Sequence, residues 1–207
     1  MQQALVFHQL IALILMPLIK ILQQADIQLL KVVYWHRVAF LDPFFIFLSA
    51  AATLITYSVP VLLLIYSYAK KRKVLQRKGW LVLIALTINS AIVDELKKLV
   101  HRPRPFVTYS YIHNLVAVST FSFPSGHTAE VSMLAIALSV LFWGHRWEKA
   151  LAWSWAILIA YSRLALGVHY PGDVIGSFLI SFMVAFPILK GMIHLNFLQI
   201  KGKGSKS

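Results

Sequence analysis

The chain has 207 residues, of which 59% are hydrophobic and 13% charged, with a mean hydropathy of +0.72. Soluble domains carry roughly a quarter charged residues, so an ordinary soluble fold is excluded and a soluble nucleic-acid binder disfavoured. The net charge of +13 comes from 20 Lys and Arg against 7 Asp and Glu, and in a membrane chain such an excess can be a topology signal instead of a polyanion site. The absence of cysteine removes disulfides and thiolate metal sites from consideration.

No Lys or Arg precedes Lys20 and no small-residue cleavage site follows the apolar run 10–19, so the N-terminus is not read as a cleavable signal. Residues 4–22 are long enough to cross a bilayer, but His8, Gln9 and Lys20 interrupt them, and a helix lying in the interface competes with a span. Residues 26–37 mix apolar and charged side chains at helical spacing and are too short to cross, which predicts a separate surface helix. Leu41-Asp42-Pro43 then turns the chain into the membrane. Five spans are predicted at about 44–68, 79–100, 126–143, 150–168 and 174–194, each near the roughly 17–25 residues needed to cross. The expected fold is therefore an all-α integral membrane bundle of six transmembrane helices, or five if residues 4–22 lie on the surface. The expected organisation is an N-terminal segment 1–40, one catalytic domain 41–196 and a basic cytoplasmic tail 197–207.

Short cytoplasmic loops collect Lys and Arg. Lys70, Lys71, Arg72, Lys73, Arg77 and Lys78 lie between the first two of these spans, Arg146 and Lys149 in a later loop, and Lys190, Lys201, Lys203 and Lys206 near the end, all on one side of the predicted topology. Placing that side in the cytoplasm leaves Lys97, Lys98, Arg102, Arg104 and Arg163 at the outer face, against the rule. Cations at membrane depth persist when paired, so five of them converging there imply an anion between them. Pro124-Ser125-Gly126-His127 precedes a span, where Ser125 can cap the helix and the free N–H groups of Gly126 and His127 can face the same anion. Ser162-Arg163 is followed after five residues by His169, then by the turn Tyr170-Pro171-Gly172 into Asp173, which is placed to cap the last span and to meet His169.

Lys97 with six residues to Arg104-Pro105, Pro124-Ser125-Gly126-His127, and Ser162-Arg163 with five residues to His169 and three more to Asp173 together resemble the three-part signature of the type 2 phosphatidic acid phosphatases. The resemblance covers about residues 40–195. That superfamily also includes vanadium haloperoxidases and bacterial acid phosphatases, and the hydrophobic spans favour its membrane lipid phosphatase branch. The resemblance implies that His169 is the nucleophile that forms a phosphohistidine, that Asp173 fixes its tautomer, and that His127 is the general acid and then the base. It implies that Lys97, Arg104, Ser125, Gly126 and Arg163 hold the phosphate oxygens, with no metal and no cofactor. The substrate it implies is a lipid phosphate at the outer leaflet of a cell (inner) membrane, first undecaprenyl diphosphate among small bacterial members, with lipid A phosphate and phosphatidylglycerol phosphate as alternatives. Membrane lipids and a lipid phosphate are the expected partners, and nucleic acid is not.

Each residue also has a plain structural reading. His127 and His169 can be satisfied interfacial histidines, Asp173 a helix cap, and Lys97 or Arg104 snorkelling side chains. Taken singly these readings outweigh the functional one; jointly they require eight residue types to fall at family spacing on one membrane face by accident. A 2-His-1-carboxylate metal site from His127, His169 and Asp173 is opposed by the surrounding cations. A non-hydrolytic lipid-phosphate binder is opposed by the intact His127, His169 and Asp173, and a vanadium haloperoxidase by the spans. Trp80, Trp143, Trp147 and Tyr161 read as interface anchors, and Asp94 and Glu95 as partners of Lys98 and Arg102 on their own helix. Glu130, one turn beyond His127, either hydrogen-bonds a neighbouring span, or tunes the basic site or contacts a substrate head group.

Overall fold

The computed structural model describes residues 2–142 and 146–194; the tail 197–207 and Trp143 lie outside the described residues. Every regular element is helical: α1 (Gln2–Trp35), a 3-10 turn (Ala39–Leu41), α2 (Asp42–Ala69), α3 (Lys73–Val100), the short α4 (Pro105–Thr108), α5 (Gly126–Leu141), α6 (Arg146–Ala165) and α7 (Pro171–His194). Among the described residues, segments 39–69, 73–108 and 171–191 are long and apolar enough to cross a membrane, and α5 is a shorter apolar helix. Large side chains such as Phe47, Leu54 and Leu62 on α2 and Phe182, Met183 and Phe186 on α7 face outward, as a bilayer solvent requires.

The N-terminal expectation is corrected. The predicted span and the predicted surface helix are one continuous helix, α1, because Gln23-Gln24-Ala25 between them are helix formers and nothing there breaks the ladder. At 1.5 Å per residue, 34 residues run about 51 Å, well beyond the roughly 30 Å hydrocarbon core. Its C-terminal half docks through Ile27, Leu30 and Tyr34 against Ile112 and Tyr170.

The centre of the bundle is α5, which packs against α3, α6, α7 and α2. It carries small residues on several faces, Ala129, Ser132, Ala135 and Ala137 among them, all buried, and such residues let helix backbones approach closely in a membrane. The half of the bundle around Leu81, Leu86, Met133, Leu141, Ala185 and Leu189 is a purely apolar cluster of α3, α5 and α7. Residues 70–72 join α2 to α3 as a tight turn, so these two helices are antiparallel neighbours. The last turn of α3, the first of α5, the last of α6 and the first of α7 consequently meet at one end of the bundle, and the loop 70–72 lies at the other.

Candidate active site

Each motif sits where a helix starts or stops, and local chemistry fixes where that happens. Helix α3 ends at His101, which adopts a left-handed conformation (φ 52°) and is followed by Arg102-Pro103, a sequence that cannot continue the ladder. Helix α6 ends at Ala165; Gly167 beyond it is left-handed (φ 68°), and the Val168 N–H reaches back to the Arg163 carbonyl at 3.2 Å, a Schellman closure. A Cβ at Gly167 would lie 3.0 Å from the Tyr34 ring, so glycine serves both the turn and the close packing of α1. Pro171 opens α7, and Asp173 in its first turn accepts the Tyr170 N–H at 3.0 Å, the reach-back of a capping box. Asp173 is thus not the N-cap expected of it but the third residue of α7, reaching back to the residue before the helix.

His169 is 1% exposed and Asp173 fully buried. The His169 Nδ1–H donates to Asp173 Oδ2 at 3.4 Å, while Arg104 donates one N–H toward His169 Nε2 at 3.3 Å and another to the Val168 carbonyl at 2.9 Å. One tautomer satisfies both imidazole contacts, with the proton on Nδ1 and the Nε2 lone pair facing a cation. Burial, reinforced by the charges of Arg163 and Arg104 and opposed by Asp173, pushes the His169 imidazole from 6.5 down to about 4, so the ring is a free base near neutrality.

Arg104 is anchored by the Thr120 carbonyl (2.6 Å) and hydroxyl (3.0 Å). Arg163, 1% exposed, donates to Ser49 Oγ on α2, and its buried Nε finds no acceptor among the described residues. The Lys97 ammonium lies 3.3 Å from where a Cβ on Gly126, the first residue of α5, would stand. His127 lies within electrostatic reach of Lys97, Arg104, Arg163 and His169, and the Ser125 N–H bonds the Asp173 carbonyl at 3.5 Å, joining two motifs. All eight predicted site residues are thus at one end of the bundle.

Three further expectations change in detail. Ser125 does not cap α5 with its side chain, because its hydroxyl pairs with Thr128 Oγ1 at 2.9 Å. Lys98 is not part of the basic cluster, since it is exposed and pairs with Glu95 at 2.7 Å. Arg102 does not pair along its own helix but turns inward to Asp173 (2.6 Å) and Asp26 (2.5 Å). Glu130 hydrogen-bonds a neighbouring span, accepting the Thr53 hydroxyl of α2 at 2.7 Å, and also lies within electrostatic reach of Lys97. Trp80, Trp147 and Tyr161 are exposed, as interface anchors would be.

Sequence reasoning missed Asp26, Ser122 and Thr120. Ser122 donates its hydroxyl to Asp173, and Asp26 accepts from Arg102 and from the Gly172 N–H. Asp26 carried a signal, being the single acidic residue in the first 41 positions.

The family model of the PAP2 superfamily matches residues 78–196, more than half of the chain. The chain is 29% identical over 162 residues to an undecaprenyl-diphosphatase of Sulfolobus acidocaldarius, covering 78% of this chain and 75% of that protein. It is 39% identical over 112 residues to a lipid A 4'-phosphatase of Bacteroides thetaiotaomicron, covering 49% and 48%. Among solved structures, the transmembrane PAP2-type phosphatidylglycerolphosphate phosphatase of Bacillus subtilis superposes with a TM-score of 0.69 at 25% identity, over 92% of this chain and 96% of that one.

Proposed function

The chain belongs to the PAP2 superfamily, and from that premise we propose that it is a metal-independent lipid phosphatase acting through a phosphohistidine on undecaprenyl diphosphate. The observation that carries the reading is the convergence of Lys97, Arg104 and Arg163 around His127, with Arg104 on the Nε2 of His169 and the Arg163 Nε unpartnered among the described residues. Buried like charges repel, and a lone ammonium beside the first residue of a helix is unfavourable, so the arrangement is stable when a phosphate sits among them.

In the mechanism, the His169 Nε2 lone pair attacks phosphorus as the bond to the leaving oxygen breaks, and His127 gives that oxygen its proton. Asp173 stabilises the charge on the ring. His127 then takes a proton from water, whose oxygen cleaves the N–P bond and frees inorganic phosphate. Arg104, Arg163, Lys97, Ser125 and the Gly126 amide hold the equatorial oxygens and stabilise the transition state. These cations supply the positive charge that a metal provides in other phosphoryl-transfer enzymes.

The substrate is chosen from the undecaprenyl-diphosphatase relative, which matches most of the chain. Lipid A and phosphatidylglycerol phosphates are the second reading, favoured by the 39% identity to the Bacteroides enzyme and by the Bacillus structure. The protein lies in a cell (inner) membrane with six crossings, its site on the periplasmic or outer face. Residues 41–196 form the catalytic domain, 1–40 the helix docked on it, and 197–207 a cytoplasmic tail.

Phosphate release by the purified protein from a panel of lipid phosphates, in EDTA, tests the reading. Release from undecaprenyl diphosphate above the others, undiminished by EDTA and inhibited by vanadate, is the expected result. Activity lost to EDTA and restored by one divalent metal would contradict it.

A further inference from the structure

Asp26 stands on α1, well outside the segment that carries the three motifs, yet it touches two parts of the site. Its Oδ1 accepts the Gly172 N–H at 2.6 Å, and its Oδ2 takes one terminal nitrogen of Arg102 at 2.5 Å. The other terminal nitrogen of Arg102 donates to Asp173 Oδ1 at 2.6 Å. One guanidinium is thus divided between two carboxylates. Its Cζ lies 3.9 Å from the centre of the Tyr170 ring, and the three charged side chains are largely screened from solvent, with exposures of 11% for Asp26, 24% for Arg102 and 0% for Asp173.

The division decides what Asp173 can offer its histidine. Arginine binds a lone carboxylate through two parallel N–H donors, one to each oxygen. At Asp173, however, Oδ2 already accepts the Ser122 hydroxyl, the Tyr170 N–H and the His169 Nδ1–H. By holding one end of the guanidinium, Asp26 limits Arg102 to a single contact with Oδ1 and leaves Oδ2 to the imidazole. We propose that Asp26 is a positioning residue for the His169–Asp173 pair, acting through Arg102, so that α1 is part of the catalytic apparatus. This rests on the phosphatase reading for its kinetic arm alone.

The approach is close enough to require glycine opposite: a Cβ at Gly172 would stand 2.9 Å from Asp26 Oδ2. Two independent variants therefore displace the same contact. Asp26→Asn keeps the shape and the acceptor for Gly172 but removes the charge that holds Arg102. Gly172→Ala keeps every charge and pushes the carboxylate away.

The kinetic arm measures kcat and KM per folded protein on the best lipid phosphate. Asp26→Asn and Gly172→Ala should each lower kcat about tenfold or more with KM nearly unchanged, the scale of lost outer-shell partners, and Asp26→Glu should recover part of it. Asp26→Asn added to Arg102→Leu should cost nothing further. A lowered Tm with unchanged kcat would make Asp26 a mere fastening of α1 and overturn the proposal, as would fully additive losses. The second arm needs no turnover: in histidine-labelled protein, the 15N resonances of His169, identified by their loss in His169→Gln, should move in Asp26→Asn and return toward wild type in Asp26→Glu. Unmoved resonances would overturn the proposal. Wild-type protein that cleaves no lipid phosphate would sink the phosphatase reading, and the resonance arm would still decide this one.

Discussion

The two ends of the bundle carry comparable numbers of cations and treat them in opposite ways. Lys70, Lys71, Arg72 and Lys73 sit exposed at the α2–α3 turn, while Arg104 and Arg163 at the other end are 5% and 1% exposed. Exposed charges keep their hydration and are screened by salt. Removing a guanidinium from water costs several kcal/mol that protein contacts repay only with good geometry, and Arg163 keeps a nitrogen unpartnered among the described residues. Charge count alone does not tell the two ends apart, since exposed and buried cations enter it equally. What separates them is company: the buried cations adjoin helix termini, a histidine–carboxylate pair and backbone carbonyls.

The strongest way to break the comparison is at its centre. His169→Ala should abolish phosphate release while the protein still inserts and purifies; residual activity above about a hundredth of wild type, a barrier change under roughly 3 kcal/mol, would remove the covalent role. The same residue type can then be tested at both ends. Arg163→Met should lower kcat/KM by about a hundredfold or more, as loss of a transition-state donor does, whereas Arg72→Met should leave it within about twofold, the usual range for exposed charges. Equal effects in the lipid-phosphate assay would mean that burial does not mark function here.

Acidity sharpens the picture further. With the folded His169 near 4 and the unfolded value near 6.5, the unfolded chain binds more protons between those values, so this residue's contribution to stability falls as pH drops from about 6.5 to 4. Its 15N titration should show a neutral ring down to about pH 5; a midpoint near 6.5 would mean that burial and the arginines do not govern it. The smallest effect belongs to Glu130, which holds Thr53 and not the reacting groups. Glu130→Gln keeps an acceptor for that hydroxyl and should change kcat by less than about threefold, with any loss appearing in Tm.

Much of this site was legible because its residues recur at fixed spacing beside helix ends, where proline, glycine and serine announce the turns. Hydrophobic runs likewise located α2, α5, α6 and α7 within about four residues and the end of α3, whose start at Lys73 lies six residues before the predicted span because the basic stretch there is helical but not apolar. Two kinds of feature escaped. The continuity of α1 was hidden because a change of hydrophobicity near residue 23 looks like an element boundary, although backbone propensity runs straight through Gln23-Gln24-Ala25. The fate of individual charges was hidden because helical spacing offers Arg102 its own acids, whereas the loop geometry after His101 carries it to Asp26 and Asp173, 76 and 71 residues away. Local pattern predicts neighbours on one helix and not across a loop.

The central claim is a phosphate bond to one histidine. His127→Ala protein mixed with 32P-labelled undecaprenyl diphosphate, quenched under alkaline conditions and mapped by mass spectrometry, should carry an acid-labile phosphate on His169. Steady hydrolysis by wild-type protein with no label on His169 in either wild type or variant would contradict the account, pointing to direct attack by water with His169 in another role.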